Sequence, residues 1–213
     1  MTLPSLRRSP LIGIIGFLLL FFCTPAIGLA QEEHPLGISL AFRHAVLTGE
    51  EESGFNWSDL WDDGNGGSLE ISYRINPPVA ILGGISYDSF PGKDISLCCP
   101  LITGKFSNLS PYTFYVGGKF FLLQMAAPTK TGADPYFRLD FGLTRFNSYD
   151  FEGFSIGNAT TVFSWDIGLG VDVAITPVVG FFVEAKYQDY GKPDQAGNTL
   201  TAFPISVGFR ISP

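Results

Sequence analysis

Residues 161–190 read TVFSWDIGLGVDVAITPVVGFFVEAKYQDY. Phe163, Trp165, Ile167, Leu169, Val171 and Val173 fall at every second position, with Ser164, Asp166, Gly168, Gly170 and Asp172 between them, so the spacing predicts a strand with one oily face. A turn at Thr176-Pro177 reverses the chain into a second strand. There Val179, Phe181, Val183, Ala185 and Tyr187 share one face, and Gly180, Phe182, Glu184, Lys186 and Gln188 the other. Carboxylates and a lysine within apolar strands do not suit a soluble core, where such groups lose hydration without return. They suit a barrel crossing a membrane, whose apolar face meets lipid and whose charged face points inward.

The same alternation recurs on both sides of this hairpin. It predicts strands over Leu36–Val46, Gly67–Asn76, Val79–Phe90, Tyr112–Leu123 and Tyr136–Phe146, and a last one from Phe203 to Ile211. With the opening pair the total is eight. Long polar or glycine-containing loops, at about 47–66, 91–110, 147–160 and 191–198, alternate with shorter links near Asn76, Thr129 and Thr176. The expected fold is all-β: an eight-stranded antiparallel up-and-down transmembrane β-barrel, closed because lipid leaves no partner for an open edge. Its short turns and both termini are expected on the periplasmic side and its long loops outside. Pro204 donates no ladder hydrogen bond, so a bulge or the rim is expected there. A soluble lipocalin-like barrel would reverse the faces. Aromatics at strand ends, among them Phe42, Tyr73, Phe114, Trp165, Tyr187 and Phe209, fit two interfacial girdles better than a ligand cup.

The N-terminus carries Arg7 and Arg8, an apolar run from Leu11 to Phe22, and Gly28-Leu29-Ala30 with small residues at the cut. This is the pattern of a cleaved signal peptide over residues 1–30, leaving 31–213 as the barrel. Phe21 and Phe22 stand before Cys23 where a lipoprotein signal needs small residues. The chain's charge of −7 becomes about −9 once Arg7 and Arg8 leave. An acidic surface with no basic stripe excludes a nucleic-acid partner.

Gly66-Gly67-Ser68-Leu69-Glu70-Ile71-Ser72-Tyr73-Arg74-Ile75-Asn76-Pro77, Tyr87-Asp88-Ser89-Phe90, Pro135-Tyr136-Phe137, Phe182 to Tyr190 and Ser206-Val207-Gly208-Phe209-Arg210 together resemble the bacterial outer-membrane β-barrel domain of small OmpA-type and OmpX-type proteins. The resemblance spans the mature chain. It implies a monomer in the outer membrane of a Gram-negative-type bacterium, surrounded by lipid and lipopolysaccharide, with a surface or envelope protein as a further partner and no cofactor. The family commonly ends in an aromatic residue; this chain ends Phe209-Arg210-Ile211-Ser212-Pro213.

Inward parity collects Arg43, Glu70, Arg74, Lys119, Arg138, Asp140, Asp166, Asp172, Glu184, Lys186 and Arg210, a nearly balanced set. It reads as an ion-pair network filling the lumen, or as the lining of a narrow pore. Glu184 is expected to pair with Lys186 or Arg210. In the first long loop Trp57 and Trp61 offer contact area, either to a partner or resting on the rim, beside Glu50, Glu51, Glu52, Asp59, Asp62 and Asp63. Adjacent Cys98 and Cys99 have no metal-site spacing; they are a vicinal disulfide or free thiols. Catalytic residues are scarce. A lipid A-modifying enzyme would need His44 to meet Ser53 or Ser58 and Glu50 through loop folding, and His34 lies before the first strand. The functional expectation is a non-enzymatic barrel acting in surface contact or envelope integrity through its outer loops. A porin-like channel is the alternative, and the enzyme stands behind it.

Overall fold

The computed structural model describes residues 35–48, 56–96, 103–126, 132–193 and 199–213. The expected leader, His34, the Glu50–Glu52 run, Ser53, Cys98, Cys99 and Thr129 lie outside these segments.

Eight long strands close on themselves: β1 (Leu36–Thr48), β2 (Gly64–Asn76), β3 (Val79–Ser89), β6 (Tyr112–Phe121), β7 (Ala133–Phe146), β10 (Thr160–Ala174), β11 (Val179–Asp189) and β12 (Thr201–Ile211). Every neighbouring pair is antiparallel, and β1 completes the ring by pairing with β12. This is the closed all-β barrel expected from the alternation, and closure leaves it without a lateral edge. Between the wall strands stand four short ones, β4 (Asp94–Ser96), β5 (Thr103–Lys105), β8 (Tyr149–Phe151) and β9 (Phe154–Gly157).

The barrel is inside-out relative to a soluble core. Leu40 and Val116 on its outer wall are each 66% exposed, while Arg43, Glu70, Arg138 and Asp140 on the inner wall are buried. Only a surrounding apolar phase makes that distribution favourable, since the outer belt would otherwise be an apolar patch far larger than a soluble protein carries. Side-chain parity holds along every wall strand. A one-residue slip would exchange lipid-facing and lumen-facing sets, which fixes the register strongly.

Three expectations shift at the strand ends. β1 runs on to Thr48 and β2 begins at Gly64, so the first outer loop is shorter than 47–66. The interval 147–160 is not irregular; it contains the β8–β9 hairpin, turned by Glu152 at φ 49° and Gly153 at φ 82°. At Pro204 no bulge forms. Its β1 register continues through Ala45↔Pro204, and on the β11 side pairing skips from Ala185↔Ile205 to Gln188↔Ala202 in the same register. The missing N–H thus interrupts one ladder without shifting it. Among the described residues register shifts occur elsewhere, in the wall between Arg74 and Asn76 beside the short turn and in the β8–β9 hairpin between Tyr149 and Asp150.

Above the outer ends the loops pack against one another. Trp61 bridges Gly92, Phe90 bridges Leu109, and Phe106 bridges Phe151. With the β4–β5 and β8–β9 pairs, these bridges lay a small antiparallel cap over the barrel mouth.

Candidate functional site

Three charged layers fill the lumen from the short-turn end toward the long loops. In the lowest, Arg210 meets both Asp172 oxygens, Nε to Oδ2 at 2.8 Å and Nη2 to Oδ1 at 3.0 Å, and also donates to Ser212 Oγ. Arg74 lies 4.0 Å from Asp134 and places its guanidinium 3.9 Å from the Phe121 ring centre. A cavity of about 30 Å³, lined among others by Ser72, Lys119, Asp172 and Arg210, opens here. Its volume suits one water or so.

The middle layer centres on Arg138 of β7. Its Nη1 lies 2.7 Å from Glu70 Oε2 and 3.2 Å from Glu184 Oε2, and its Nε 2.6 Å from Asp140 Oδ2. Lys119 donates to Glu70 Oε1 at 2.6 Å, and Tyr136 Oη donates to Glu184 Oε2 at 2.9 Å. Lys186 Nζ sits 3.2 Å from Asp166 Oδ2 and 3.8 Å from both Asp140 and Glu184. The Tyr115 ring lies against Arg138, 5.2 Å from its guanidinium carbon. Five strands therefore meet through one interlocked set of charges. Burial strips water from each ion, so the arrangement holds only because each charge faces an opposite one.

In the upper layer Arg43 contacts Asp88 through Nη2 at 3.1 Å and donates to Gln188 Oε1 at 2.6 Å. Tyr190 Oη donates to Asp88 Oδ2 at 2.7 Å. Above it the lumen turns apolar. Ala45, Leu47, Phe90, Phe146, Tyr190, Leu200 and Ala202 form one buried cluster with residues of the loops.

Trp57 and Trp61 belong to that cluster. They are 2% and 1% exposed, so of the two readings of these side chains, contact with a partner or rest on the rim, their burial in the mouth favours the second. Asn56 and Asp59 form a capping box that starts the single-turn helix Trp57–Leu60, with Trp61 following as its C-cap, and the indoles are covered by rings from other loops. Trp61 Nε1 donates to the Ser107 carbonyl at 3.0 Å, and its ring packs 4.9 Å from Phe106 and 5.7 Å from Tyr149.

All eleven charges expected to face inward lie within the layers described. Arg74 keeps partial access to water at the short-turn mouth. The expected partner of Glu184 needs correction in part: Lys186 is at 3.8 Å, the closer base is Arg138, and Arg210 is engaged by Asp172. Arg210 pairs along the wall with Gly180, near the lower turn, whereas Glu184 pairs with Ser206 further up, so the two stand at different heights. Asp88, Asp134, Gln188, Tyr115, Tyr136 and Tyr190 complete the layers although no list of charges built from strand centres includes them. Alternation through Asp88 and Gln188 is the signal that places those two inside.

His44 faces outward and its Nδ1 lies 3.0 Å from Asn65 Oδ1. Ser58 is on the exposed face of the loop helix, and the remaining members of the enzymatic constellation lie outside the described residues. Among the described residues no group of three or more His, Cys, Asp or Glu side chains is arranged to hold a metal ion.

An apolar outer wall around a lumen of paired charges defines an integral β-barrel of the Gram-negative outer membrane. The chain belongs to the family described as the outer membrane protein beta-barrel domain, whose model matches residues 15–210. Among solved structures it is similar to Neisserial surface protein A, with 18% identity, TM-score 0.59, and 84% of this chain and 97% of that one covered. It is also similar to the outer membrane protein OprG from Pseudomonas aeruginosa, with 14% identity, TM-score 0.58, and 85% and 97% covered. The attachment invasion locus protein Ail of Yersinia pestis aligns at 17% identity and TM-score 0.51, over 84% and 100% of the two chains. At these identities the likeness is one of fold. No curated protein matches the chain.

Proposed function

We propose that the protein is a non-enzymatic, monomeric surface barrel whose work is contact with a partner at the cell surface, carried by the cap of outer loops. One observation carries this reading: the lumen is filled by three layers of paired charges and then by an apolar plug, which leaves the cap as the place where chemistry is free to meet a partner. On the cap the hairpin β8–β9 holds Phe154 77% exposed and Ile156 52% exposed. The loop elements of the cap also carry exposed Asp59, Asp62, Asp63, Asp94 and Glu152, with Lys93 paired to Asp62. A cap with apolar anchors and an excess of exposed carboxylates fits a basic, partly apolar protein surface better than an anionic one. That two of the similar folds are named as a surface protein and as an attachment and invasion protein supports the same class of role.

The test replaces Phe154 and Ile156 by Ser in cells that display the barrel and measures attachment to host-cell and abiotic surfaces. Attachment is expected to fall while the amount of folded, heat-modifiable barrel in the outer membrane stays constant. Unchanged attachment, with solute uptake abolished by substitution of Arg138, would sink the contact reading in favour of a narrow pore.

A further inference from the structure

The register aligns outward residues across strands in rows that climb around the tilted barrel: from Phe42 one direction leads to Thr161 of β10 and the other to Val171 of the same strand. One row runs Phe42, Gly67, Tyr87, Tyr112, Arg145 and Thr161. Its first aromatic, Phe42, is separated by a glycine from Tyr87 and Tyr112, which stand near the long-loop ends of their strands where an interfacial girdle is expected. The row beneath is continuous and apolar: Leu40, Leu69, Ile85 and Phe114. The row above is polar, with the His44–Asn65 pair directly over the gap. A groove of about 360 Å³ occupies the gap, walled by Leu40, Leu69, Ile85, Tyr87, Tyr112 and Phe114.

The protein's own packing asks much less for a glycine at this position than next to it. A Cβ added to Gly67 would meet the Ala41 carbonyl oxygen at 3.3 Å, a tight contact relieved by a shift of a few tenths of an ångström, whereas one added to neighbouring Gly66 on the lumen side would lie 1.9 Å from the Tyr87 carbonyl. Gly66 is demanded by close packing inside; Gly67 leaves a space outside. The groove's walls are rigid for a surface feature, since Tyr87 and Tyr112 pack at 4.7 Å and Tyr87 Oη donates to Ser110 Oγ.

We infer that this slot seats one acyl chain of an outer-leaflet glycolipid, with the headgroup at the level of His44 and Asn65. The groove lies in the wall that already faces lipid, so it continues an existing lipid interface. Its height is that of the outer girdle, and it opens upward onto polar groups while its floor is hydrocarbon. A second groove, at Ala185, differs in this respect: Tyr187 packs 5.7 Å from Trp165 and 5.3 Å from Phe203, roofing it with rings. Arg145, exposed one strand beyond Tyr112 and next to the last residue of β7, supplies a positive charge at the long-loop end of the wall on that side of the groove.

The test is native mass spectrometry of the full barrel in mild detergent, titrated with hexa-acylated lipid A and, separately, with its fully deacylated sugar phosphate backbone. Wild type is expected to carry one lipid A and to ignore the backbone. Gly67→Leu, which fills the slot, and Ile85→Phe, which narrows it from the side without touching a glycine, should each weaken that adduct about tenfold, the equivalent of roughly two methylenes withdrawn from an apolar contact. Gly83→Leu, at a lipid-facing glycine two rows deeper, should leave it unchanged. Heat-modifiable migration reports that each variant is folded. Equal adducts in all four proteins would overturn the inference, as would competition by the deacylated backbone. A dimer in wild type that Gly67→Leu abolishes would assign the slot to a second copy of the chain instead.

Discussion

Arg138 touches three carboxylates from three different strands, and it is the residue whose loss the lumen tolerates least. Arg138→Met keeps the volume and removes the charge, leaving Glu70, Asp140 and Glu184 short of a common counter-ion; the expected cost is about 3–5 kcal/mol. Arg210→Met should cost less, because the Arg210–Asp172 pair is 17% and 10% exposed at the short-turn mouth and water can take over. Urea midpoints in detergent compare the two; equal losses would contradict the layered picture. A neighbouring glycine makes a second point. A Cβ at Gly117 would fall 2.0 Å from Asp140 Oδ1 and 2.3 Å from the Leu139 carbonyl oxygen, so Gly117→Ala is expected to displace the β7 backbone together with that carboxylate and to cost about 3 kcal/mol or more by the same measurement. Inward parity was readable for every one of these groups. Their pairing was not, because which charges share a height depends on the stagger of strands far apart in sequence, such as β2, β7 and β11.

Strands and cap differ in how they could be read. A wall strand writes its identity in a period of two, and Phe163 to Val173 shows it in six consecutive outward positions. The loop elements have no such period. Trp57 and Trp61 sit among Asp59, Asp62 and Asp63 in a stretch that reads as polar, and their burial depends on Phe106 and Tyr149, some 45 and 88 residues onward, closing over them. The ends of β2 and β7 were similarly hidden, since Gly64–Gly66 and Ala133–Pro135 carry little alternation of their own. Trp61→Ala tests the cap as a unit. Removing an indole that is 1% exposed should loosen the loop cluster by about 3–5 kcal/mol, and added protease is expected to cut the outer loops while the heat-modifiable barrel persists. If the loops stay resistant, Trp61 is not what holds them.

For the whole molecule the stacked layers predict an electrically silent barrel. Wild-type protein in a planar bilayer should give no reproducible step above the empty membrane, because ions would have to pass Arg43–Asp88 and the Arg138 centre as well as the plug. Trp57→Ala with Trp61→Ala should also be silent, since the charged layers below the cap remain. Steady openings that disappear on substituting Arg138 would show that the lumen conducts.

The bridges Trp61–Gly92, Phe90–Leu109 and Phe106–Phe151 tie three outer loops to one another as well as to the strands that carry them. Such stitching removes modularity. A loop transplanted onto a foreign barrel would arrive without its neighbours and lose its shape, and a peptide of residues 149–157 would present β8 stripped of the strand that flanks it. Antibodies selected on that peptide are therefore expected to miss the living cell, while those raised on the folded barrel would read a composite epitope that no single segment reproduces. The same constraint bears on sequence drift: change in one loop has to be answered in the next, so variation on this surface should come in linked sets.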